Sequence, residues 1–206
     1  MSGQDVRTIE SGPAEPETFM LIRPFSDQDA EAVRTLFVQV NRALAPTDLR
    51  EAFEAYIALS LREEIGNIAA YYQPERGRGF WVAPDRAGAL LGLFGLEPAG
   101  DGAAELRRMY VAPEARRCGV ARTMLIEAER LCAAAGLDRL VLSTSALQAA
   151  ALALYHGAGY RVLREEIAGS TTNKMVGAGL RRFYFEKTLV TDVAEIANAG
   201  HTPVTQ

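Results

Sequence analysis

The chain has few of the residues that build disulfide frameworks or metal centres. Its 206 residues include two cysteines, Cys118 and Cys132, and two histidines, His156 and His201. Two cysteines cannot form a disulfide scaffold or a cysteine-rich metal site, and such low usage is typical of a reducing compartment, so we expect a cytoplasmic protein. The two histidines lie too far apart in sequence to indicate a metal centre, and we expect no bound metal.

The chain also lacks long apolar runs and a strong excess of charge. No stretch reaches the roughly 18–20 apolar residues that a membrane span needs. The N-terminus has no basic segment followed by an apolar core, so we expect neither a signal peptide nor a membrane partner. The net charge of −4 gives no electrostatic reason to bind nucleic acid.

The composition that remains suits one α/β domain. Hydrophobic residues make up 49% of the chain, enough for a sizeable core. Residues 1–18 are rich in Gly, Pro, Ser and Glu, and are predicted to be disordered. Residues 191–206 are predicted to form a flexible tail, which leaves residues 19–190 as the folded domain.

Apolar periodicity and turn residues predict eleven or so elements along that domain. In chain order they are a strand at 19–23, a helix after Ser26, a helical stretch from 48 to 72 broken near Gly66, strands at 79–83, 89–96 and 105–111, a helix at 119–135, a strand at 139–143, a helix at 146–156, and strands at 160–165 and 181–189. This order predicts a mixed α/β sheet of about seven strands with helices on both faces. The unit from 105 to 143 is expected to be a right-handed parallel crossover.

One segment has the features of an anion-binding loop. Residues 111–122, VAPEARRCGVAR, join a predicted strand to the start of the clearest helix. Such a junction gathers unpaired backbone N–H groups and the positive end of the helix dipole, which together bind phosphate. Gly119 lets the backbone approach a ligand closely, and Arg116, Arg117 and Arg122 add positive charge.

The pattern R-x-x-G-x-A within this loop is weak on its own. An ordinary helix N-terminus with solvated arginines can match the same sequence pattern. Two further observations favour a phosphate loop: its position between a strand and a helix, and a second pattern downstream. That second pattern is QAAALALYHGAGY at residues 148–160.

The two patterns together resemble the GNAT family of N-acetyltransferases. That family has an R/Q-x-x-G-x-G/A loop for acetyl-CoA and a later N-x-x-A-x-x-L-Y-x-x-x-G-F helix. The resemblance covers about residues 105–162. Residues 56–83 are in addition similar to the camello-like branch of the family. The chain departs from the pattern at Gln148, where Asn is usual, at Ala121, where the loop often has a second Gly, and at Tyr160, where Phe is usual.

The resemblance implies acetyl-CoA as co-substrate and assigns residues to it. Arg116, Gly119 and Ala121 match the signature positions of the pyrophosphate loop, and backbone amides from 117 to 122 would hold the phosphates. The remaining implied contacts are a strand segment whose backbone pairs with the pantetheine arm and a side chain at the usual Asn position. The full set of implied acetyl-CoA contacts is Met109, Tyr110, Val111, Arg116, Arg117, Cys118, Gly119, Val120, Ala121, Arg122 and Gln148.

The resemblance also implies catalytic roles. Tyr155 matches the tyrosine that protonates the departing CoA thiolate, and Glu105 occupies a strand position where some members place a general base for the amine. A backbone N–H near Val111 would stabilise the developing oxyanion. Alternatives stay open: Tyr155 as a core aromatic residue, Glu105 as a solvated carboxylate, and Glu97 as a rival base.

The resulting functional hypothesis is acetyl transfer from acetyl-CoA to an amine by direct attack in a ternary complex. The acceptor is a small molecule or a peptide amine, with residues 42–73 and 167–180 shaping its pocket, and the expected assembly is a homodimer. A second hypothesis is a non-catalytic acyl-CoA sensor on the same fold. A dinucleotide-binding domain is disfavoured because the loop lacks G-x-G-x-x-G.

Overall fold

A computed structural model describes residues 20–189, so the segments predicted to be disordered (1–18) and flexible (191–206) lie outside the described residues. All seven strands form one sheet, in the order β1-β2-β3-β4-β5-β7-β6. The strands are β1 (Arg23–Pro24), β2 (Gly79–Pro84), β3 (Leu90–Pro98), β4 (Ala103–Val111), β5 (Arg139–Ser145), β6 (Arg161–Ala168) and β7 (Leu180–Thr188). The helices are α1 (Ala30–Leu44), α2 (Arg50–Glu63), α3 (Ile68–Tyr71), α4 (Val120–Ala134) and α5 (Ala149–Gly157).

Helices cover both faces of this mixed sheet, as predicted. On one face, the Phe37 ring of α1 packs on Tyr110 of β4, with ring centroids 5.7 Å apart. On the other face, Met124 of α4 lies against Gly92 of β3. Any side chain at position 92 would clash with the Met124 side chain. The core between these layers consists of fully buried apolar side chains, among them Val33, Phe37, Leu93, Phe94, Met124, Leu125, Leu140 and Phe185.

The break in the second helical stretch is confirmed, and it positions a functional side chain. Helix α2 ends at Glu63, and Glu64 leaves the helical conformation with φ −146° and ψ −71°. A Cβ at Gly66 would lie 2.1 Å from the Leu61 carbonyl oxygen, so only glycine fits here. The Glu64 side chain is 0% exposed, which places a carboxylate inside the protein.

The functional geometry of the sheet comes from β4 and β5, which pair in parallel and then diverge. Their pairing runs from Ala103 opposite Arg139 to Leu106 opposite Leu142 and stops there. Beyond that point β4 contains a bulge, in which Arg108 and Met109 lie opposite Phe94 alone and Arg108 has φ 55°. A bulge bends its strand, and β4 and β5 enclose a V-shaped cleft here.

Two predicted elements need correction. The first strand was expected at 19–23, but β1 contains only Arg23 and Pro24, which pair with Val82 and Trp81. Of the described residues before it, Leu21 donates its N–H to the Pro84 oxygen but its side chain is exposed, while Met20 and Ile22 pack as partly buried side chains instead of forming a ladder. Helix α5 begins at Ala149, three residues later than expected, because the Gln148 backbone, with φ −99° and ψ 58°, is not yet helical.

Candidate active site

The segment between β4 and α4 forms a compact loop with two left-handed residues. After a 3-10 turn at Pro113–Ala115, Arg117 has φ 63° and Gly119 has φ 80°. The second of these favours glycine, because a side chain at such φ is strained. Buried Ala115 and Val120 hold the loop on the core, while Arg116, Arg117, Cys118, Gly119 and Arg122 are exposed and Ala121 is partly exposed.

Six consecutive backbone N–H groups in this loop, those of residues 117–122, have no acceptor among residues 20–189. The amides on either side are paired: Arg116 N–H donates to Pro113, and Thr123 N–H donates to Gly119. The first turn of any helix leaves some donors unpaired, and here the loop extends that set at the positive end of α4. Free amides beside three arginines form an arrangement suited to phosphate.

The predicted catalytic residues Glu105 and Tyr155 line the V-shaped cleft together with the predicted pantetheine contacts Met109, Tyr110 and Gln148, whereas Val111 does not line it. The cleft is lined by Tyr56, Glu105, Leu106, Arg107, Arg108, Met109, Tyr110, Ser143, Thr144, Gln148, Ala151, Tyr155, Lys174 and Arg182. The loop residues 116–122 do not line it. Arg122 instead lines a second groove, between α4 and α5, together with Ile126 and Leu154.

The amide of Val111 faces the cleft. Val111 lies opposite Gly92 of β3, and the next residue, Ala112, donates its N–H to the Leu91 oxygen at 2.8 Å. In an antiparallel ladder this pattern makes Gly92–Val111 a non-hydrogen-bonded pair, whose N–H and C=O groups point away from the partner strand. The Val111 N–H therefore points to the side where β5 has diverged.

Tyr155 projects from α5 into the cleft and is 5% exposed. Its ring packs on Tyr160 and Phe185, with centroids 5.8 and 5.7 Å away. Among the described residues its hydroxyl has no hydrogen-bond partner, although the ring belongs to the core. Burial raises the pKa of the Tyr155 hydroxyl, so the group stays protonated and can donate.

The side-chain amide oxygen of Gln148 fixes this residue at the start of α5. Its Oε1 accepts hydrogen bonds from Thr144 Oγ1 at 2.7 Å and from the Ser145 N–H at 3.4 Å. Its amide nitrogen has no acceptor within residues 20–189. Gln148, although longer than the usual Asn, therefore keeps its amide NH2 as a donor at the edge of the cleft.

The two candidate bases, Glu97 and Glu105, differ sharply in their surroundings. Glu97 is 4% exposed and accepts hydrogen bonds from Tyr71 at 2.9 Å, Arg107 at 3.0 Å and Lys174 at 2.6 Å. Burial would raise the pKa of its carboxyl, but the bond from Lys174 and the charge of Arg107 outweigh burial and lower the pKa to about 2. Glu105 lines the cleft with a side chain 26% exposed and pairs with Lys174, 3.4 Å away.

A buried ionic cluster beneath the cleft was missed by sequence reasoning. Glu64 binds Arg107 at 2.9 Å and Arg108 through both carboxylate oxygens. It also accepts a short hydrogen bond from Tyr72, and Arg108 in turn donates to the Tyr56 hydroxyl. Burial opposes the charge on Glu64, but the bond from Arg108 prevails and lowers the pKa of the carboxyl. Together with Glu97, the cluster has two positive and two negative charges.

Two signals in the sequence pointed to this cluster. Glu64 continues the apolar stripe of α2, at the spacing of buried Phe53, Ile57 and Ser60. Adjacent arginines, Arg107 and Arg108, stand in a strand whose other residues are mostly buried, so at least one of them had to face the interior. Tyr71 and Tyr72 belong to the same cluster through their hydroxyls.

Arg182 of β7 is a further cleft residue that sequence reasoning missed. Its Nη2 donates to Ser143 Oγ at 2.6 Å. Its Nε is buried without a hydrogen-bond partner, the one such side-chain nitrogen or oxygen among the described residues. The guanidinium as a whole lines the cleft, and a guanidinium is suited to an anionic group of a ligand.

Within the part of the chain that the structure describes, no helix combines the length and the apolar character that crossing a bilayer requires.

Comparison with known proteins identifies the family and the fold. The family model described as "Acetyltransferase (GNAT) family" matches residues 42–160. Among curated proteins, "N-acetyltransferase family 8 member 3" of Rattus norvegicus is 34% identical over 114 residues, which are 53% of this chain and 50% of the relative. "N-acetylaspartate synthetase" of Danio rerio is 29% identical over 138 residues, 66% of this chain and 48% of the relative. The chain thus spans about half the length of the curated relatives it matches.

Solved structures share the fold at low identity. An acetyltransferase of the GNAT family from Staphylococcus aureus superimposes with a TM-score of 0.64 at 16% identity, covering 84% of this chain and 100% of that one. The similarity to the family 8 relative accords with the camello-like resemblance of residues 56–83.

Proposed function

Because this chain belongs to the acetyltransferase (GNAT) family, we propose that it is an N-acetyltransferase that moves an acetyl group from acetyl-CoA to an amine by direct attack in a ternary complex. The observation that carries the proposal is the run of six unpaired amides at 117–122, immediately beside the cleft between β4 and β5. This pair of features fits a ligand with a pyrophosphate at one end and a linear amide-containing arm at the other.

Acetyl-CoA fits the residues that are present. The free amides and Arg116, Arg117 and Arg122 would hold its phosphates. The backbone of Met109, Tyr110 and Val111 lies along the gap where β5 has left β4, so the pantetheine arm can pair there as a strand would. The amide nitrogen of Gln148 is a further donor on the opposite wall. The groove between α4 and α5, which Arg122 also lines, would receive the nucleotide end.

Glu105 is the proposed general base. A protonated amine cannot attack a thioester, so a carboxylate in the cleft must take its proton. Glu97 does not suit this role, because three donors already occupy its oxygens and hold the pKa of its carboxyl at about 2. The contacts of Glu97 suit it instead to hold Arg107 and Lys174 in position.

The Val111 N–H and the Tyr155 hydroxyl complete the proposed chemistry. The amide faces the cleft and is placed to stabilise negative charge on the carbonyl oxygen during attack. The tyrosine, protonated and free of other partners, is placed to donate its proton to the sulfur as the C–S bond breaks.

The alternative, a non-catalytic acyl-CoA sensor, has less support. A sensor needs the phosphate loop but has no use for a tyrosine hydroxyl without a protein partner at the cleft or for a carboxylate in the cleft. Catalysis uses both groups, as acid and base.

We also propose that two copies of the chain associate, and that the protein works in a reducing compartment such as the cytoplasm. The edge strand β6 exposes Val162, Leu163 and Ile167, and exposed apolar edge strands favour pairing. Both cysteines are free thiols, with Cys118 exposed. Sedimentation of the full chain tests the first proposal.

The deciding experiment is calorimetric titration with acetyl-CoA of the wild type and Gly119→Glu. The new carboxylate lies among the phosphate-binding amides and should abolish binding by repulsion. The control is Gly136→Glu, since Gly136 has φ 75° and open space around it, so it carries the same backbone strain at the far end of α4. Tight binding by the wild type and the control, with none by Gly119→Glu, supports the proposal. Absence of binding by the wild type overturns it.

A further inference from the structure

The chain contains two lysines, Lys174 and Lys187, and one of them lies inside the proposed acceptor site. Lys174 belongs to the loop between β6 and β7 and lines the cleft together with Glu105, Met109 and Tyr155. Its side chain is 48% exposed, so it reaches the cleft from the solvent side.

A tight turn presents Lys174 to the cleft. Thr172 N–H donates to the Met175 oxygen at 2.9 Å, and Thr172 Oγ1 accepts from the N–H groups of Lys174 at 3.1 Å and Met175 at 3.2 Å. The turn rests on the buried cluster, because the Asn173 carbonyl accepts from Arg108 and from Ser60 Oγ. Lys174 is thus held at the tip of an anchored turn.

The Lys174 ammonium makes the contacts that an acceptor ammonium would need. Its Nζ lies 2.6 Å from Glu97 Oε1 and 3.4 Å from Glu105 Oε2. One carboxylate anchors the nitrogen, and the other is the proposed base. Burial lowers the pKa of Lys174, but the hydrogen bond to Glu97 and the charge of Glu105 outweigh it, so the pKa is raised and the group needs a base before it can react.

We propose that Lys174 is a self-acetylation site: the amine already seated in the acceptor pocket is the first acceptor that this protein modifies. The inference rests on the proposed function. Glu105 takes one proton from the ammonium, the neutral nitrogen attacks the thioester carbonyl and the C–N bond forms. The nitrogen then loses its second proton to solvent as the C–S bond breaks. The CoA sulfur leaves with a proton from Tyr155, which is replaced from solvent. The products are N-acetyl-lysine, CoA thiol and one released proton.

Lys187 provides an internal comparison within the same chain. Its Nζ pairs with Glu129 at 2.7 Å and lies 5.6 Å from the centre of the Tyr160 ring. It lines the groove between α4 and α5 and not the cleft. Uncatalysed acetylation by acetyl-CoA in solution does not involve the cleft and would not strongly favour Lys174 over Lys187. A strong preference for Lys174 therefore requires catalysis in the cleft.

Acetylation of Lys174 would change the cleft. Glu97 would keep Tyr71 and Arg107 as donors, but Glu105 would lose its ion-pair partner. The base would then be free for an external amine, and the modification would occur once per chain.

The test is incubation of the full-length protein with acetyl-CoA alone, followed by intact-mass measurement and peptide mapping over time. The expected result is one added acetyl group, on Lys174, formed at least about 100-fold faster than on Lys187, since general base catalysis contributes factors of this size. Glu105→Gln should slow the reaction by about the same factor, while Glu75→Gln, at an exposed site away from the cleft, should leave the rate unchanged. A rate constant independent of protein concentration marks transfer within one chain.

Several outcomes overturn the inference, and they are distinguishable from failure of the proposed function. Equal modification of both lysines, or none, in protein that binds acetyl-CoA by calorimetry means that Lys174 is not a self-acetylation site, while the proposed function stands. A rate that rises with protein concentration excludes transfer within the chain. If the wild type does not bind acetyl-CoA at all, the proposed function and the inference fall together.

Discussion

Glu97 and Glu105 lie directly opposite each other on β3 and β4 and share one ammonium, that of Lys174, yet only Glu97 is enclosed by donors. Buried Glu97 also binds Tyr71 and Arg107, while Glu105 faces the cleft. Two residues of the same type, one strand apart, are therefore suited to different tasks. Their environments separate a structural carboxylate from one that is free to accept a proton.

This difference predicts opposite phenotypes for two conservative substitutions. Glu105→Gln should lower kcat by about 100-fold, because the base is lost, and should leave the free energy of unfolding nearly unchanged. Glu97→Gln should destabilise the protein by up to about 3 kcal/mol, because buried Arg107 loses one of its two counter-charges. Denaturant unfolding and amine-dependent release of CoA thiol measure the two effects. The assignment is wrong if Glu97→Gln loses activity without losing stability.

Tyr155 and Tyr160 form a second matched pair. Tyr155→Phe should lower kcat by about 100-fold while keeping both stability and acetyl-CoA affinity, since its hydroxyl has no partner among residues 20–189. Tyr160→Phe removes the hydrogen bond to Glu129, which is 3.0 Å long, and should cost about 1 kcal/mol of stability without lowering kcat. Single-turnover kinetics beside thermal unfolding distinguishes the two. Full activity in Tyr155→Phe would exclude it as the general acid.

Buried carboxylates predict the response to acid. The pKa of Glu97 falls from 4.5 to about 2 on folding, and that of Glu64 is also lowered. A carboxyl with a depressed folded pKa stabilises the native state above its unfolded pKa, and this stabilisation is lost as pH falls through the folded value. Stability should therefore decline between about pH 4.5 and 2, and less steeply in Glu97→Gln than in the wild type. Unfolding midpoints measured across this range, with exposed Glu75→Gln as control, check the slope; equal slopes would contradict the assignment.

Arg182 predicts a preference among acceptors. Its guanidinium lines the cleft and suits a carboxylate on the acceptor, so Arg182→Gln should raise KM for an amino acid acceptor by about tenfold or more. The corresponding decarboxylated amine should show little change. Arg181→Gln is the control, because exposed Arg181 pairs with Glu165 at 3.3 Å on the outer part of the sheet. Equal KM changes for both acceptors would mean that Arg182 stabilises β7 and does not bind the acceptor carboxylate.

Much of the fold followed from local patterns. The spacing of Val33, Leu36, Phe37 and Val40 predicted α1, and the glycine at 66 predicted the break that follows α2. The parallel crossover from β4 to β5 was predicted from element order alone and is confirmed. The first strand was misplaced because an apolar run carries no information about its partner, and only Arg23 and Pro24 meet β2.

The candidate phosphate loop and the tyrosine helix were predicted residue by residue, while the acceptor side was predicted only as the ranges 42–73 and 167–180 with Glu105 or Glu97 as base. The loop and the helix are short contiguous segments, so their local sequence indicates their conformation. Glu64, Arg107, Lys174 and Arg182 come from four separate segments, and no pattern in one of them reveals the others.

By itself, the sequence determined the order of elements and the position of a loop with a glycine at 119 at the start of α4, because these depend on neighbours along the chain. Only the tertiary structure decided that Glu97 is enclosed and Glu105 is accessible, and that Lys174 lies between them. Those properties depend on burial and on charges brought together from distant segments, and electrostatic interactions act through space, not along the sequence.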